Sequence, residues 1–108
     1  MKNHSLSYIF LFVLACPILA ACNSPSPAFY GKPATQVEMD GFVFSVRQNA
    51  DRVEAMRLGR VWRPSKSAVL AAADKAIRQA TGCDIAKNSL QGDQAIVRAR
   101  LDCDRSPV

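Results

Sequence analysis

The stretch AIVRARLDC, residues 95–103, carries the clearest strand pattern in the chain. Apolar side chains alternate with mostly charged ones, and the apolar positions are Ala95, Val97, Ala99, Leu101 and Cys103. Because successive side chains of a strand point to opposite faces, one face of this strand is apolar and the other is charged. The pattern predicts a strand of an antiparallel sheet that is covered on one side.

A second strand is predicted just upstream, over residues 83–86, with a turn centred on Asp93 between the two strands. A hairpin of this register places Cys83 opposite Cys103. Opposite residues of an antiparallel pair project to the same face, so the two sulfur atoms become neighbours. We therefore expect a structural disulfide between Cys83 and Cys103.

The segment before this hairpin has helical periodicity. Apolar side chains recur at helical spacing between residues 67 and 81, at Val69, Leu70, Ala73, Ala76, Ile77 and Ala80. Ser65 or Ser67 is suited to cap the N-terminus of this helix, and Gly82 is suited to cap its C-terminus. Because half of the apolar stripe is alanine, we expect the helix to lie close to a sheet.

Short strands are also predicted between residues 36 and 58, and the first two are joined by a hairpin turn at Asp40-Gly41. The predicted fold class is therefore α+β: a small antiparallel sheet of four to five strands with one helix packed on it. The order of elements is β-β-β-α-β-β. This disulfide-bonded domain is expected to span residues 35–108.

The first 21 residues have the pattern of an export signal. Lys2 supplies a positive start, and residues 6–21 are almost continuously apolar. This run is shorter than the roughly 20 residues that a membrane-spanning helix needs, and Pro17 interrupts it. A transmembrane anchor is therefore the less favoured alternative to a signal peptide over residues 1–21.

The apolar run ends in Leu19-Ala20-Ala21-Cys22, which resembles the lipobox of bacterial lipoproteins. In that family the cysteine thiol receives a diacylglyceryl group, a dedicated peptidase cuts before the cysteine, and the freed amine is usually acylated. The resemblance covers about the first 22 residues and implies that Cys22 carries fatty acyl chains that hold the protein on a membrane. Cleavage as an ordinary secreted protein is the alternative. Cys16 is disfavoured because the apolar run continues past it.

The resemblance also implies a place in the cell envelope. Because Asn23 rather than an aspartate follows the lipidated cysteine, the expected destination is the outer membrane, with the domain facing the periplasm. Residues 22–34 are rich in serine and proline, which favours an extended tether. Within this tether, Phe29 and Tyr30 either enter the membrane interface or fold back on the domain.

Loss of residues 1–21 removes Lys2 and the single histidine, and leaves 13 basic against 9 acidic residues, a net charge of +4. The basic residues are scattered along the chain, which argues against nucleic acid as a partner. Anionic lipid head groups, acidic wall polymers and envelope proteins remain as available partners, although the mild net charge favours a solvated basic surface without a specific partner. No spacing typical of a metal site or a redox Cys-x-x-Cys motif occurs, so we expect no cofactor.

Catalysis would have to rely on carboxylates, because no histidine base is left. Glu38 with Glu54, or Asp102 with Asp104, would then act as an acid and base pair. Solvated strand-edge charges explain the same residues without chemistry. The sequence therefore favours a non-catalytic binding or assembly module, with a small carboxylate-based envelope enzyme as the alternative.

The most distinctive polar and aromatic stretch is GRVWRP, residues 59–64. An indole between two guanidinium groups suits a sugar ring, an anionic glycan or a protein partner, which makes Arg60, Trp62 and Arg63 candidate binding residues. Because a domain this short has few large core residues, the sequence favours the other interpretation, in which Trp62 fills the end of the sheet beneath the helix and the two arginines lie in solvent.

The charged face of the last strand carries Arg98 and Arg100. Together with Arg57 or Arg47 from neighbouring strands, these side chains would form one basic face of the sheet. An ordinary solvated surface is the alternative interpretation of the same pattern.

Overall fold

The computed structural model describes residues 25–59 and 61–104, which form a six-stranded antiparallel sheet with one helix across it. The strands are β1 (Ala34–Met39), β2 (Phe42–Asn49), β3 (Arg52–Leu58), β4 (Asp84–Ile85), β5 (Gln91–Gly92) and β6 (Ile96–Asp102), and helix α1 spans Lys66–Thr81. Their order in the sheet is β1-β2-β3-β6-β4, and β5 also pairs with β6. The predicted α+β fold is confirmed.

Two tight turns connect the first three strands. Asp40 and Gly41 both have a positive φ, of 53° and 83°, as predicted for a two-residue hairpin. Ala50 turns the chain between β2 and β3 with a φ of 54°. The carbonyl oxygen of the next residue, Asp51, accepts a hydrogen bond from the Leu101 N–H at 2.6 Å, which ties this turn to β6.

Helix α1 begins and ends at the predicted caps. The Ser65 hydroxyl accepts a hydrogen bond from the Ala68 N–H at 3.3 Å, and Gly82 caps the C-terminus with a φ of 69°. The buried side chains of α1 are Val69, Ala72, Ala73, Ala76 and Ile77. They form one core with buried residues of β1, β2, β3 and β6, so the alanine-rich stripe packs on the sheet as expected.

The predicted register of the C-terminal hairpin is confirmed where β4 pairs with β6. Ile85 lies opposite Leu101, which brings Cys83 beside Cys103. The Cα atoms of the two cysteines are 4.4 Å apart and their Sγ atoms are at bonding distance, so the predicted disulfide is present. It closes the end of a strand that is only two residues long.

The hairpin differs from the prediction between β4 and β5. Both β4 and β5 pair with β6, but the register of β5, in which Gly92 lies opposite Val97, is shifted by three residues from the register of β4. Residues 86–90, which connect β4 to β5, leave the sheet. Within this bulge the Ser89 hydroxyl accepts a hydrogen bond from the Arg100 N–H at 3.1 Å. The Arg100 N–H therefore donates to a side-chain oxygen instead of to a backbone carbonyl of a neighbouring strand. The alternating pattern of the sequence does not predict this substitution.

Two charged side chains secure the ends of this hairpin. At the β5–β6 turn the Asp93 carboxylate accepts hydrogen bonds from the N–H groups of Ile96 and Ala95, which hold the pKa of Asp93 below its usual range. Arg78, in the last turn of α1, forms ion pairs with Asp74 and Asp84. The hydrogen bond to Asp74 is the largest cause of a raised Arg78 pKa.

The face of the sheet opposite α1 is partly covered by residues 25–30, called here the N-terminal segment. It contains a short 3-10 turn, and Phe29 in that turn is only 3% exposed. Phe29 therefore folds back on the domain, whereas Tyr30 is 60% exposed. The 3-10 turn and the buried ring differ from the extended tether that was expected over residues 22–34. The physical reason is that the apolar Phe29 ring packs against the sheet instead of remaining in solvent.

Hydrogen bonds from two strands hold the N-terminal segment in place. The Asn49 amide of β2 donates to the Ala28 carbonyl oxygen at 2.8 Å. The Ser26 N–H donates to a carboxylate oxygen of Glu54 in β3 at 3.2 Å. Glu54 lies on the face away from α1, because its chain neighbours on β3 belong to the core beneath the helix.

Candidate functional site

The loop between β3 and α1 presents its apolar residues to solvent. Trp62 is 83% exposed and Val61 is 42% exposed. The interpretation in which Trp62 fills the end of the sheet beneath α1 is therefore wrong. A tryptophan is usually well buried, so a ring at this level of exposure is an unusual surface feature.

Arg63 places a cation beside that ring. Its guanidinium carbon is 5.6 Å from the centroid of the Trp62 ring, within the range of a cation–π contact. Positive φ values at Gly59 (90°) and Arg63 (45°) turn the backbone at both ends of the loop. Arg60, the third candidate binding residue, lies outside the described residues. The loop offers a flat apolar ring with a positive charge over it.

A second candidate surface lies on the face opposite α1, where Arg52, Arg98 and Arg100 project from β3 and β6. Arg52 lies directly opposite Arg100, and Arg98 lies directly opposite Glu54. The alternating pattern of the last strand predicted that Arg98 and Arg100 share a face. It missed Arg52, which follows a turn, because only the pairing of β3 with β6 brings that residue beside Arg100.

The other two arginines considered from the sequence lie on different faces. Arg47 of β2 shares the face opposite α1, because it pairs with Glu54. Arg57 pairs with Phe44, which is fully buried in the core, and so lies on the α1 side of the sheet. The Arg57 Nε donates to the Gln94 carbonyl oxygen at 2.7 Å. Arg57 is therefore separated from the basic face.

An open cleft of about 770 Å³ separates the arginines of β3 and β6 from the N-terminal segment. We call it the arginine cleft, because Arg52, Arg98 and Arg100 all line it. Residues 26–29 form the opposite wall. Asp51 is the one acidic residue among the described residues that line it. The cleft is thus a polar, predominantly basic depression in a sheet face.

Glu54 lies beneath one wall of this cleft and is 1% exposed. Its second carboxylate oxygen is 3.4 Å from the Arg98 Nε, and the Arg98 Nη2 donates to the Ser26 hydroxyl at 2.7 Å. A buried carboxylate requires such partners, because its desolvation is otherwise unfavourable. Arg98 therefore has a structural role, and it joins the N-terminal segment to the sheet.

The four carboxylates that the sequence offers for catalysis lie on β1, β3 and β6 and in the turn after β6. Glu38 and Glu54 lie on β1 and β3, and their partners on the intervening β2 are four residues apart, which is roughly 14 Å along the strand. The structure does not bring this pair together. Asp102 is half-buried at the end of β6, and Asp104 is exposed in the turn that follows. Residues 25–59 and 61–104 contain no group of three or more potential metal-binding side chains.

Comparison with known proteins finds no matching family model, no matching curated protein and no matching solved structure. The features of this chain that bear on function are the exposed Trp62 loop, the arginine cleft and the N-terminal sequence.

Proposed function

We propose that this protein is a lipid-anchored component of the bacterial cell envelope with a non-catalytic binding domain. The anchor is the lipid on Cys22, and the domain faces the periplasm from the outer membrane. Support for the anchor comes from the lipobox-like residues 19–22, and Asn23 supports the outer membrane as the destination. The signal peptide over residues 1–21 and Cys22 lie outside the described residues. In the part of the chain that the structure describes, every helix is too short or too polar to cross a membrane.

The domain binds an acidic or carbohydrate envelope partner through Trp62 and Arg63, and Arg60, which is close to them in the sequence, is the third candidate residue. The observation that carries this proposal is the 83% exposure of Trp62. Burying a large apolar side chain is worth roughly 1.5–3 kcal/mol, which this ring does not gain within its own domain. A partner that covers the ring would recover that free energy.

The chemistry of the loop suits such a partner. An indole face packs against the C–H groups of a sugar ring, and a guanidinium group donates paired hydrogen bonds to a carboxylate or phosphate. Arg63 lies beside the ring, so both interactions are available to one residue of an acidic glycan. Loops held by a rigid sheet and helix are common positions for binding residues.

We expect Cys22→Ser to abolish lipid attachment, because the substitution removes the thiol that accepts the lipid. Growth with a clickable fatty acid should label the wild-type protein and leave the Cys22→Ser protein unlabelled. Cys16→Ser is the matched control and should retain the label. Equal labelling of Cys22→Ser, or a label lost only from Cys16→Ser, would show that the anchor was assigned to the wrong residue.

Trp62→Ala should weaken partner binding by about 30-fold or more, as expected for an interface hot spot. The free energy of unfolding should change by less than about 0.5 kcal/mol, because the ring is exposed. Binding is measured by sedimentation with insoluble peptidoglycan and by retention on an immobilised acidic envelope polysaccharide. Because Trp62 is the single tryptophan of the chain, its fluorescence also reports binding by the wild-type protein directly.

Tyr30→Ala is the control for this experiment, since it removes another exposed aromatic ring from a different part of the surface. It should bind both probes like the wild type. Arg63→Ala should reduce binding of the acidic polysaccharide more than binding of a neutral glycan. If Trp62→Ala and Arg63→Ala both bind the probes as the wild type does, the loop is not the binding site.

A further inference from the structure

Two arginines of the cleft lie directly opposite each other, and within the described part of the chain no carboxylate neutralises either charge in an ion pair. Arg52 of β3 lies directly opposite Arg100 of β6, and in such pairs the Cβ atoms are about 5 Å apart. Their side chains are exposed, and neither forms an ion pair with any carboxylate that the structure describes. Like charges directly opposite each other destabilise a sheet. An anion held between the two guanidinium groups would relieve this repulsion.

The surroundings of the pair suit an anion of limited size. Arg98 lines the same cleft, but its guanidinium group already contacts the Glu54 carboxylate and the Ser26 hydroxyl, so Arg52 and Arg100 are the groups left to bind an anion. Asp51 is the one carboxylate in the described lining. Guanidinium groups bind phosphate oxygens through paired, charge-assisted hydrogen bonds. A volume of about 770 Å³ falls within the range of small-molecule sites, so a phosphate with its attached group fits inside.

The position of the cleft indicates where that anion comes from. Ser26 forms part of its wall and lies four residues after Cys22 in the chain. Four residues span at most about 14 Å, even when fully extended. If Cys22 carries the lipid, the cleft is therefore held within reach of the head groups of the leaflet that contains the acyl chains. The short connection to Cys22 does not bring the cleft close to a polymer located elsewhere in the envelope, so a lipid head group is the favoured source of the anion.

We propose that the arginine cleft binds the phosphate of an anionic phospholipid head group in the membrane that holds the protein. This inference rests on the lipidation of Cys22 proposed above. The acyl chains anchor the protein, and the contact of Arg52 and Arg100 with a head group seats the sheet face that carries the N-terminal segment against the bilayer. Anchoring and orientation are then separate properties of neighbouring parts of the chain.

Vesicle binding of the mature chain, residues 22–108 with Cys22→Ser, tests the cleft without a lipid anchor. At low ionic strength this protein should sediment with phosphatidylglycerol vesicles and only weakly with phosphatidylcholine vesicles. Each arginine near an anionic surface contributes about a fivefold gain in affinity, so Arg52→Gln/Arg100→Gln should lower binding by roughly 25-fold. The matched control, Lys66→Gln/Lys75→Gln, removes two charges from the helix on the opposite face and should change binding by less than about threefold.

Several results would overturn the inference. Equal losses in the two double variants would mean that net charge alone drives binding. Unchanged binding of Arg52→Gln/Arg100→Gln would exclude the cleft. Calorimetric saturation by free inorganic phosphate without a preference for vesicles, or cleft-dependent binding of an acidic polysaccharide but not of vesicles, would assign the site to another ligand. Because the assay uses unlipidated protein, its failure is distinguishable from a failure of Cys22 labelling.

Discussion

Removal of the Cys83–Cys103 disulfide should lower the free energy of unfolding by about 3 kcal/mol. The bond joins residues 20 positions apart, and the chain-entropy model assigns about this value to a loop of that size. For a domain this small, the same loss corresponds to a fall in melting temperature of roughly 12–24 °C. The bond also closes the two-residue strand β4, which has little other pairing to keep it at the sheet edge.

The double variant Cys83→Ala/Cys103→Ala provides the measurement, by denaturant unfolding and calorimetry of otherwise identical protein. Wild-type protein treated with a reductant should unfold like the double variant, which controls for the substitutions themselves. Mass spectrometry of the untreated protein should show the two cysteine peptides joined and two hydrogens fewer. Equal stability of the double variant and the oxidised wild type would show that the bond has no structural role.

Phe29→Ala should have an effect of similar size, about 3 kcal/mol or more. The Phe29 ring is almost completely buried although it comes from the proline-rich start of the described chain. Its removal leaves a cavity under the N-terminal segment and weakens one wall of the arginine cleft. The matched control is Tyr30→Ala, at the next position, which should change stability by less than about 0.5 kcal/mol because Tyr30 is exposed.

Chemical unfolding measures the global effect of Phe29→Ala, and hydrogen exchange of the Ser26 N–H measures the local one. That N–H donates to the buried Glu54 carboxylate, so its protection should fall if the N-terminal segment detaches. If Phe29→Ala and Tyr30→Ala have the same free energy of unfolding and the same hydrogen-exchange protection at Ser26, then residues 25–30 act only as a solvated spacer.

Much of the fold was predictable because it depends on local patterns. Alternation over residues 95–103 marked β6, since a strand covered on one side must place its apolar side chains at every second position. The candidate caps, Ser65 or Ser67 at one end and Gly82 at the other, marked the ends of α1, because unpaired backbone groups at helix ends need specific partners. Ser65 is the N-cap that the structure shows. The same alternation, carried across one turn, paired Cys83 with Cys103.

The candidate sites were predicted less well, because exposure and proximity are tertiary properties. Trp62 and Phe29 both lie in irregular stretches whose sequence has no periodicity, and one is exposed while the other is buried. Which outcome occurs depends on whether an uncovered surface lies within reach of the ring. The sequence left both outcomes open for each of these two residues.

By itself, the sequence determined the fold class, the order of the longer strands and the helix, the disulfide, and the lipobox-like residues on which the proposed anchor rests. Those features follow from periodicity, caps and motifs that are local in the chain. The sequence did not predict the separate two-residue strand β5. Only the tertiary structure decided that Arg52 faces Arg100 across β3 and β6, that the N-terminal segment walls the cleft beside them, and that the Trp62 ring stays in solvent. The physical reason is that residues 48 positions apart meet only when two non-consecutive strands pair, and no local pattern encodes that choice of partner.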